Sequence, residues 1–441
     1  MDPLKPLRMV NRVIKQWRKE QMGRHLSLVR RIERIAPPTD RLVVAMTFDD
    51  GPTVAPARPG DGRGLTDSLL RALAEYGGHG TFDVIGTTAD NYPDEEGALG
   101  TALWSGVKYD HYPELGQDKL AGVVNQPELA RRILAEGHEL SNHGYNHIAF
   151  GPFRMVYGSR SYLRDCEACV ADIKRLHDYV RDAFGAEMKL SRPPHYIDNT
   201  TDRFDSYDVY ARVGYNYMAA SFDGGGWLPG QDYKSEVESM VAAVEQALRR
   251  DPRSLNGQII FQKDGYNMAK RSPIVDALPR QLALLAQHGY RVLTVSELLA
   301  ISPVTDVAPE DSACAPLRAL LDAGYPVAYR DNTAKLDQPL TVGELAFILV
   351  RGAGGRRAEQ PWGDVPATHP YCRSLAQGAQ EGWLPAHLHA VKPQTPVSLV
   401  DLSLMIAART GMAAGGAAAS AGNGRVRRRE ALALLAEHLL N

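Results

Sequence analysis

From about residue 40 the chain alternates between short apolar, β-rich runs and amphipathic helical segments, and this alternation restricts the fold more than any other feature. "RLVVAMTF" reads as a strand and "LTDSLLRALAEYG" as a helix with Thr66 as its cap and Gly77 as its stop. "GTFDVIG", "PELARRILAEG" and "HELSN" continue as strand, helix with Pro127 in its first turn, and strand. A helix over 160–183 leads into "MKLSRPP", a helix over 205–213 into "YNYMAAS" and a helix over 234–249 into "GQIIFQ". "DALPRQLALLAQHGYRVLTVSELLAI" closes the series as helix, strand, helix. About seven βα units in a row demand a parallel sheet. The expected fold class is therefore α/β, a distorted (β/α) barrel, closed or nearly so, followed by an all-α repeat domain. In such a sheet the chemistry gathers at the carboxyl ends of the strands. The stretch 87–125 interrupts the rhythm and reads as a lid or wall.

Length and charge narrow the rest. At 441 residues the chain has material for two or three domains, divided here as 1–38, 39–302 and 303–441. A formal net charge of -2 speaks against a general nucleic-acid binder. Charge is uneven, however, with ten Lys/Arg against three Asp/Glu in residues 1–36. Leu7, Val10, Ile14 and Trp17 recur there at helical spacing, with Arg8, Arg12, Lys15 and Lys19 between them. That is the pattern of a basic amphipathic helix, able to lie peripherally on an anionic membrane or to pack on the main body. No apolar run reaches membrane-spanning length, and no secretory signal is visible at the start. Four cysteines are too few for a disulfide scaffold; Cys166 and Cys169, a CxxC within one helical pattern, read as buried helix residues.

After residue 303 the periodicity changes. "DVAPEDSACAPLRALLDAGY" from Asp306 overlays "DVPATHPYCRSLAQGAQEGW" from Asp364, and "PLTVGELAFIL" from Pro339 overlays "PVSLVDLSLMI" from Pro396. "RVRRREALALL" from Arg425 repeats only the second half of this unit. Cys314 and Cys372 fall at one repeat position, which marks them as small core residues and not as a bridged pair.

"MTFDDGP", residues 46–52, ends the first strand of the series on two adjacent aspartates. Like charges side by side call for a cation, or for a division of labour. "GHELSNHGYNH" supplies the partners: His143 and His147 are four apart, so on a helical turn both imidazoles face one way, a spacing suited to one divalent cation. Two histidines and one carboxylate make three protein ligands and leave a position for water, whose proton the second carboxylate can take. His138 reads as a hydrogen-bonded core histidine.

"TFDDGPT", "GHELSNHGYNH", "SRPPHY", "FDGGGW" and "IIFQKDG", in this order, resemble the five motifs of the polysaccharide deacetylase family (NodB-homology, carbohydrate esterase family four). The likeness covers roughly residues 40–302. It implies a metal-dependent hydrolase, usually with zinc, that removes N-acetyl groups from an amino-sugar polysaccharide such as peptidoglycan or chitin. By this resemblance Asp49 is the catalytic base, Asp50, His143 and His147 hold the metal, and Arg192 pairs with Asp49 and keeps it ionised. Pro194 and His195 follow, His195 offering a backbone N–H to an oxyanion where the family has tyrosine. Asp223 positions the fourth-motif loop, Trp227 forms an aromatic wall and Phe261 lines the acetyl pocket. Two positions depart from the family. Gly226 replaces an aspartate, and Lys263 replaces the histidine that protonates the departing amine. Three outcomes stay open: Lys263 donates that proton, His195 or a residue of 87–125 does so, or the chain is an impaired homologue that binds carbohydrate at the cell surface.

The C-terminal repeats resemble S-layer homology modules, three-fold helical bundles that hold proteins on the cell wall through polysaccharide. Their TRAE-like box reads "TVGE", "SLVD" and "RRRE". Its basic residue is missing from two of the three, so wall-polysaccharide anchoring and a purely structural appendage both stay open. The combined resemblance implies an envelope or extracellular location, with a cytoplasmic one as the alternative because no export signal is visible.

Overall fold

Between Leu42 and Ile301 strands and helices alternate as the periodicity predicts. This computed structural model describes residues 20–58, 60, 62–89, 102–104, 107–109, 119–151, 162–267, 269–352, 365–389, 392–411 and 424–440. The basic helix read over the first nineteen residues and much of the interruption within 87–125 lie outside the described residues. The chain divides into two compact units, Ile32–Ile301 and a second formed by Met1–Arg31 with Ser302–Asn441.

The strand-rich unit runs β1 (Arg31–Ile32), β2 (Leu42–Asp49), α1 (Leu65–Glu75), β3 (Thr81–Val84), β4 (Ala102–Trp104), β5 (Val107–Tyr109), α2 (Pro127–Ala135) and β6 (Glu139–Asn142). It continues with α3 (Cys166–Phe184), β7 (Leu190–Ser191), α4 (Ser206–Val213), β8 (Asn216–Met218), β9 (Phe222–Asp223), α5 (Tyr233–Arg250), β10 (Ile259–Lys263), α6 (Ile274–Gln287), β11 (Tyr290–Leu293) and α7 (Val295–Ile301). Apart from the antiparallel β4–β5 pair, the strands form one sheet in the order β1-β8-β7-β6-β3-β2-β10-β9, with β11 also on β2. β2 is buried from Val43 through Asp49, which is why its sequence is a continuous apolar run and not an alternating one. Among the described residues no ladder joins β1 to β9, so the sheet is curled and open, not a closed barrel. The reason is length: the edge strands β1 and β9 have two residues each, too few to carry the staggered ladder that closure requires.

Local details refine the sequence reading. Gly64, not Thr66, is the N-cap of α1. Thr66 is buried, where its Oγ1 accepts the Thr53 N–H at 2.7 Å and donates to Asp264 at 2.8 Å. His138 is the core histidine expected: its Nδ1 accepts the Gly80 N–H at 3.0 Å, and burial pushes its pKa down to about 4. All four cysteines are buried, and among the described residues none is bridged to another. Burial pushes the Cys166 thiol up to about 11 and raises Cys169 as well, which makes both inert.

In the second unit the regular elements described are helices: α8 (Cys314–Asp322), α9 (Val342–Leu349), α10 (Cys372–Gln380), α11 (Leu399–Thr410) and α12 (Arg428–Leu439). The three boxes are helix-capping sequences. Thr341 Oγ1 accepts the Glu344 N–H while Glu344 accepts the Thr341 N–H, and Ser398 Oγ accepts the Asp401 N–H. In the third box Glu430 still accepts the Arg427 N–H at 3.2 Å, although an arginine side chain has no acceptor to return. The residues before the boxes close a ring of backbone hydrogen bonds: Leu340 N–H to Val426 O, Val426 N–H to Val397 O and Val397 N–H to Leu340 O, at 2.8–3.0 Å. The half-repeat thus supplies the third vertex of a pseudo-three-fold arrangement.

Candidate active site

Parallel register brings distant residues onto one level. Lys263 lies opposite Asp49, Asp49 opposite Asp83, and Asp83 opposite Ser141, so β10, β2, β3 and β6 each place one polar residue in a lateral row at their carboxyl ends. Asn142 pairs with Ser191, which brings the next residues, His143 and Arg192, together just beyond the row. A strand sends successive side chains to opposite faces. Asp50 breaks that rule with φ of 83°, a left-handed conformation that aspartate tolerates. Both neighbouring carboxylates therefore reach the same imidazole: His143 Nε2 is 3.2 Å from Asp50 Oδ1 and 3.9 Å from Asp49 Oδ2. Gly51 is required next, because a Cβ there would stand 1.9 Å from Asp264 Oδ2.

The two aspartates have separate partners. Asp49 Oδ1 accepts from Arg192 Nη1. Arg192 is itself fully buried, with Nη2 on Thr47 Oγ1 at 3.1 Å and Nε on Met218 O at 3.3 Å. Burial raises the Asp49 carboxyl to about 6, against the pull of the Arg192 and His143 charges. Asp50 Oδ1 faces His143 Nε2 and His147 Nε2, the latter at 3.0 Å, while its Oδ2 takes Lys263 Nζ at 2.6 Å. Burial pushes Asp50 upward, but Lys263, His147 and the histidine hydrogen bonds together hold it well below the usual range.

His143 and His147 do converge, but not on a helical turn. β6 ends at Asn142, and a loop with Gly144 at φ 86° and His147 at φ 52° swings the second imidazole back over the first, with ring centroids 4.8 Å apart. The donor atoms of Asp50, His143 and His147 all lie within 4.8 Å of one another and all three residues are buried. Separations of 3.0–3.2 Å from Asp50 Oδ1 to the two imidazole nitrogens approach the edge, about 3.3 Å, of a tetrahedron with arms of about 2.0–2.1 Å, so these residues fit a divalent cation.

The other expected residues lie further out. His195 sits in the 3-10 turn Pro194–Tyr196 at φ 59°, its ring 4.8 Å edge-on from that of His147. Phe261 packs against Arg192, ring centroid 5.4 Å from Cζ. Asp223, opposite Phe261 in the β9–β10 ladder, accepts the Gly225 N–H and the Trp227 indole N–H, and so shapes its own loop. Sequence reasoning missed Asp83, Ser141 and Asp264. Asp264 is buried beneath Gly51, donates its backbone N–H to Asp49 O at 2.6 Å, and is raised to about 8 by burial. The available signal for Asp83 was a lone acid inside the apolar run "TFDVIG".

Residues 36–218 match the family model for polysaccharide deacetylases. That span contains Asp49, Asp50, His143, His147 and Arg192, whereas Asp223, Trp227, Phe261 and Lys263 lie beyond it. The peptidoglycan-N-acetylglucosamine deacetylase of Bacillus cereus is 26% identical over 263 residues, 59% of this chain and 90% of that protein. The peptidoglycan-N-acetylmuramic acid deacetylase of Bacillus subtilis is 23% identical over 280 residues, 64% of this chain and 43% of that protein. A solved structure of a peptidoglycan deacetylase from Bacillus subtilis aligns at 22% identity and a TM-score of 0.38, covering 59% of this chain and 91% of that one. The stretch that matches the polysaccharide deacetylase model falls within the strand-rich unit.

Proposed function

We propose that this chain hydrolyses N-acetyl groups on an amino-sugar polysaccharide of peptidoglycan or chitin type, with a divalent cation, zinc by the nature of its donors, held by Asp50, His143 and His147. One observation carries the reading: three buried metal-type donors converge beside a second carboxylate that a buried arginine holds by one oxygen only. When bound, such a cation supplies Lewis-acid polarisation of an acyl oxygen and acidifies water. Asp49 then takes the proton of the attacking water at Oδ2, the oxygen not engaged by Arg192 Nη1. Arg192 cannot swing away, because two further hydrogen bonds fix its guanidinium. The His195 backbone N–H contributes to oxyanion stabilisation, Phe261 borders the acetyl methyl, and Trp227, half exposed on its Asp223-braced loop, offers a sugar-stacking face. Lys263 donates the proton to the departing amine. The names of the relatives support peptidoglycan as substrate and an envelope or extracellular setting.

A second reading is favoured by one contact. Lys263 Nζ is engaged by Asp50 Oδ2 at 2.6 Å, so giving its proton to substrate breaks a buried charge pair, and Gly226 offers no carboxylate to assist. On that reading the chain is an impaired homologue that binds carbohydrate. Acetate release from N-acetylated peptidoglycan fragments and chitooligosaccharides separates the two. Release that is lost on chelation and in Asp49→Asn supports the hydrolase; binding with no release supports the impaired homologue.

A further inference from the structure

Asp83 is a buried charge for which the chemistry above has no task. It sits mid-strand in β3 at 0% exposure, where a carboxylate is costly unless its oxygens are used. Oδ1 accepts the Ser141 hydroxyl at 2.6 Å, while Oδ2 stands 2.9 Å from His143 Nδ1 as a charge contact and has no hydrogen-bond partner among the described residues. The register explains the triangle. Ser141 is the cross-strand partner of Asp83, and His143, two residues further on, leaves β6 on the same face. His143 Nδ1 is also 2.8 Å from the Arg192 carbonyl oxygen. Both neighbours of Nδ1 are acceptors, so Nδ1 carries the hydrogen, and the lone pair of a neutral ring is at Nε2, the atom facing Asp50 Oδ1. The carbonyl alone would orient the ring. A carboxylate at the same nitrogen also makes the imidazole a stronger donor.

We infer that Asp83, steadied by Ser141, is a positioning residue that sets the tautomer of His143 and strengthens it as a ligand for the cation. The inference rests on the metal-site reading above. It is tested on the full chain by zinc affinity, measured by competition with a chromophoric chelator, alongside the melting temperature of the metal-free protein. Asp83→Asn keeps the shape and a carbonyl oxygen but removes the charge. The expected result is a loss of zinc affinity on the order of 10–100-fold with the metal-free melting temperature unchanged or raised. Ser141→Ala is expected to lower affinity in the same direction by less, and it carries the test if Asp83→Asn does not fold. Zinc affinity within about twofold of wild type in the variants overturns the inference and leaves the metal site standing. A loss that merely tracks lower metal-free stability also overturns it. A wild-type protein that binds no zinc overturns the metal-site reading itself.

Discussion

Arg192 and Arg428 are both fully buried arginines, one at the strand ends of the sheet and one inside the helical unit. Arg428 donates Nε to Ala334 O at 2.7 Å and Nη2 to Val327 O at 2.6 Å, and its Nη1 lies 3.4 Å from Glu344 Oε2. Glu344 in turn takes the Tyr329 hydroxyl and caps α9. Its partners are backbone carbonyls, an acid already occupied in structure and the Tyr329 ring, 4.9 Å from Cζ. Arg192 faces Asp49, whose second oxygen is left beside Asp50 and two imidazoles. Burial of charge is common to both; among the described residues, the buried metal-type donors converge in the sheet. Arg428 also occupies the basic position of the third box, and it is buried within its unit.

The largest expected effect would break the comparison outright. Asp49→Asn should lower acetate release by about 10²–10⁴-fold, with folding intact by circular dichroism; retention of activity would remove Asp49 from the chemistry. Arg428→Ala should cost the helical unit about 3–5 kcal/mol in urea unfolding, because it strands Glu344. Acetate release by the protein still folded should stay within about twofold; a larger loss would mean that the two clusters are not separate in function.

A third test sharpens the Lys263 question. The pair Lys263→His and Gly226→Asp should raise acetate release by on the order of 10²-fold if the acid relay is crippled. Position 226 has φ of 82°, and a Cβ there would stand 2.7 Å from Met240 Sδ, so Met240→Ala should be made with it. No gain in the triple variant would favour Lys263 as a working proton donor. The smallest effect is in pH. As the proposed base Asp49 must be ionised, and burial raises it while a bound cation lowers it, so kcat/KM should fall about tenfold per unit on the acid side of its pKa, and that limb should move to higher pH when the metal is weakened. An acid limb that persists unchanged in Asp49→Asn would contradict Asp49 as the base.

Parts of the site were legible in advance for identifiable reasons. Asp49, Asp50, His143, His147 and Arg192 lie in compact motifs whose residue types match metal and proton chemistry, and the structure brings them into contact. The helical turn expected for the two histidines failed because a four-residue spacing is equally available to a loop with two left-handed residues. Thr66 failed as a cap because its hydroxyl has stronger claims from Thr53 and Asp264, residues that no local pattern links to it. Asp83 and Ser141 passed unnoticed because a single polar residue in a strand carries no periodic signal.

By itself the amino-acid order determined the βα alternation, the motif inventory and the repeated boxes, since each arises from periodicity or capping among residues close in the chain. Tertiary structure alone decided that Lys263, Asp49, Asp83 and Ser141 share one level and that Lys263 meets Asp50. The reason is that ladder register between strands distant in the chain is set by mutual hydrogen bonding and packing, and a shift of one residue would turn every one of those side chains to the other face.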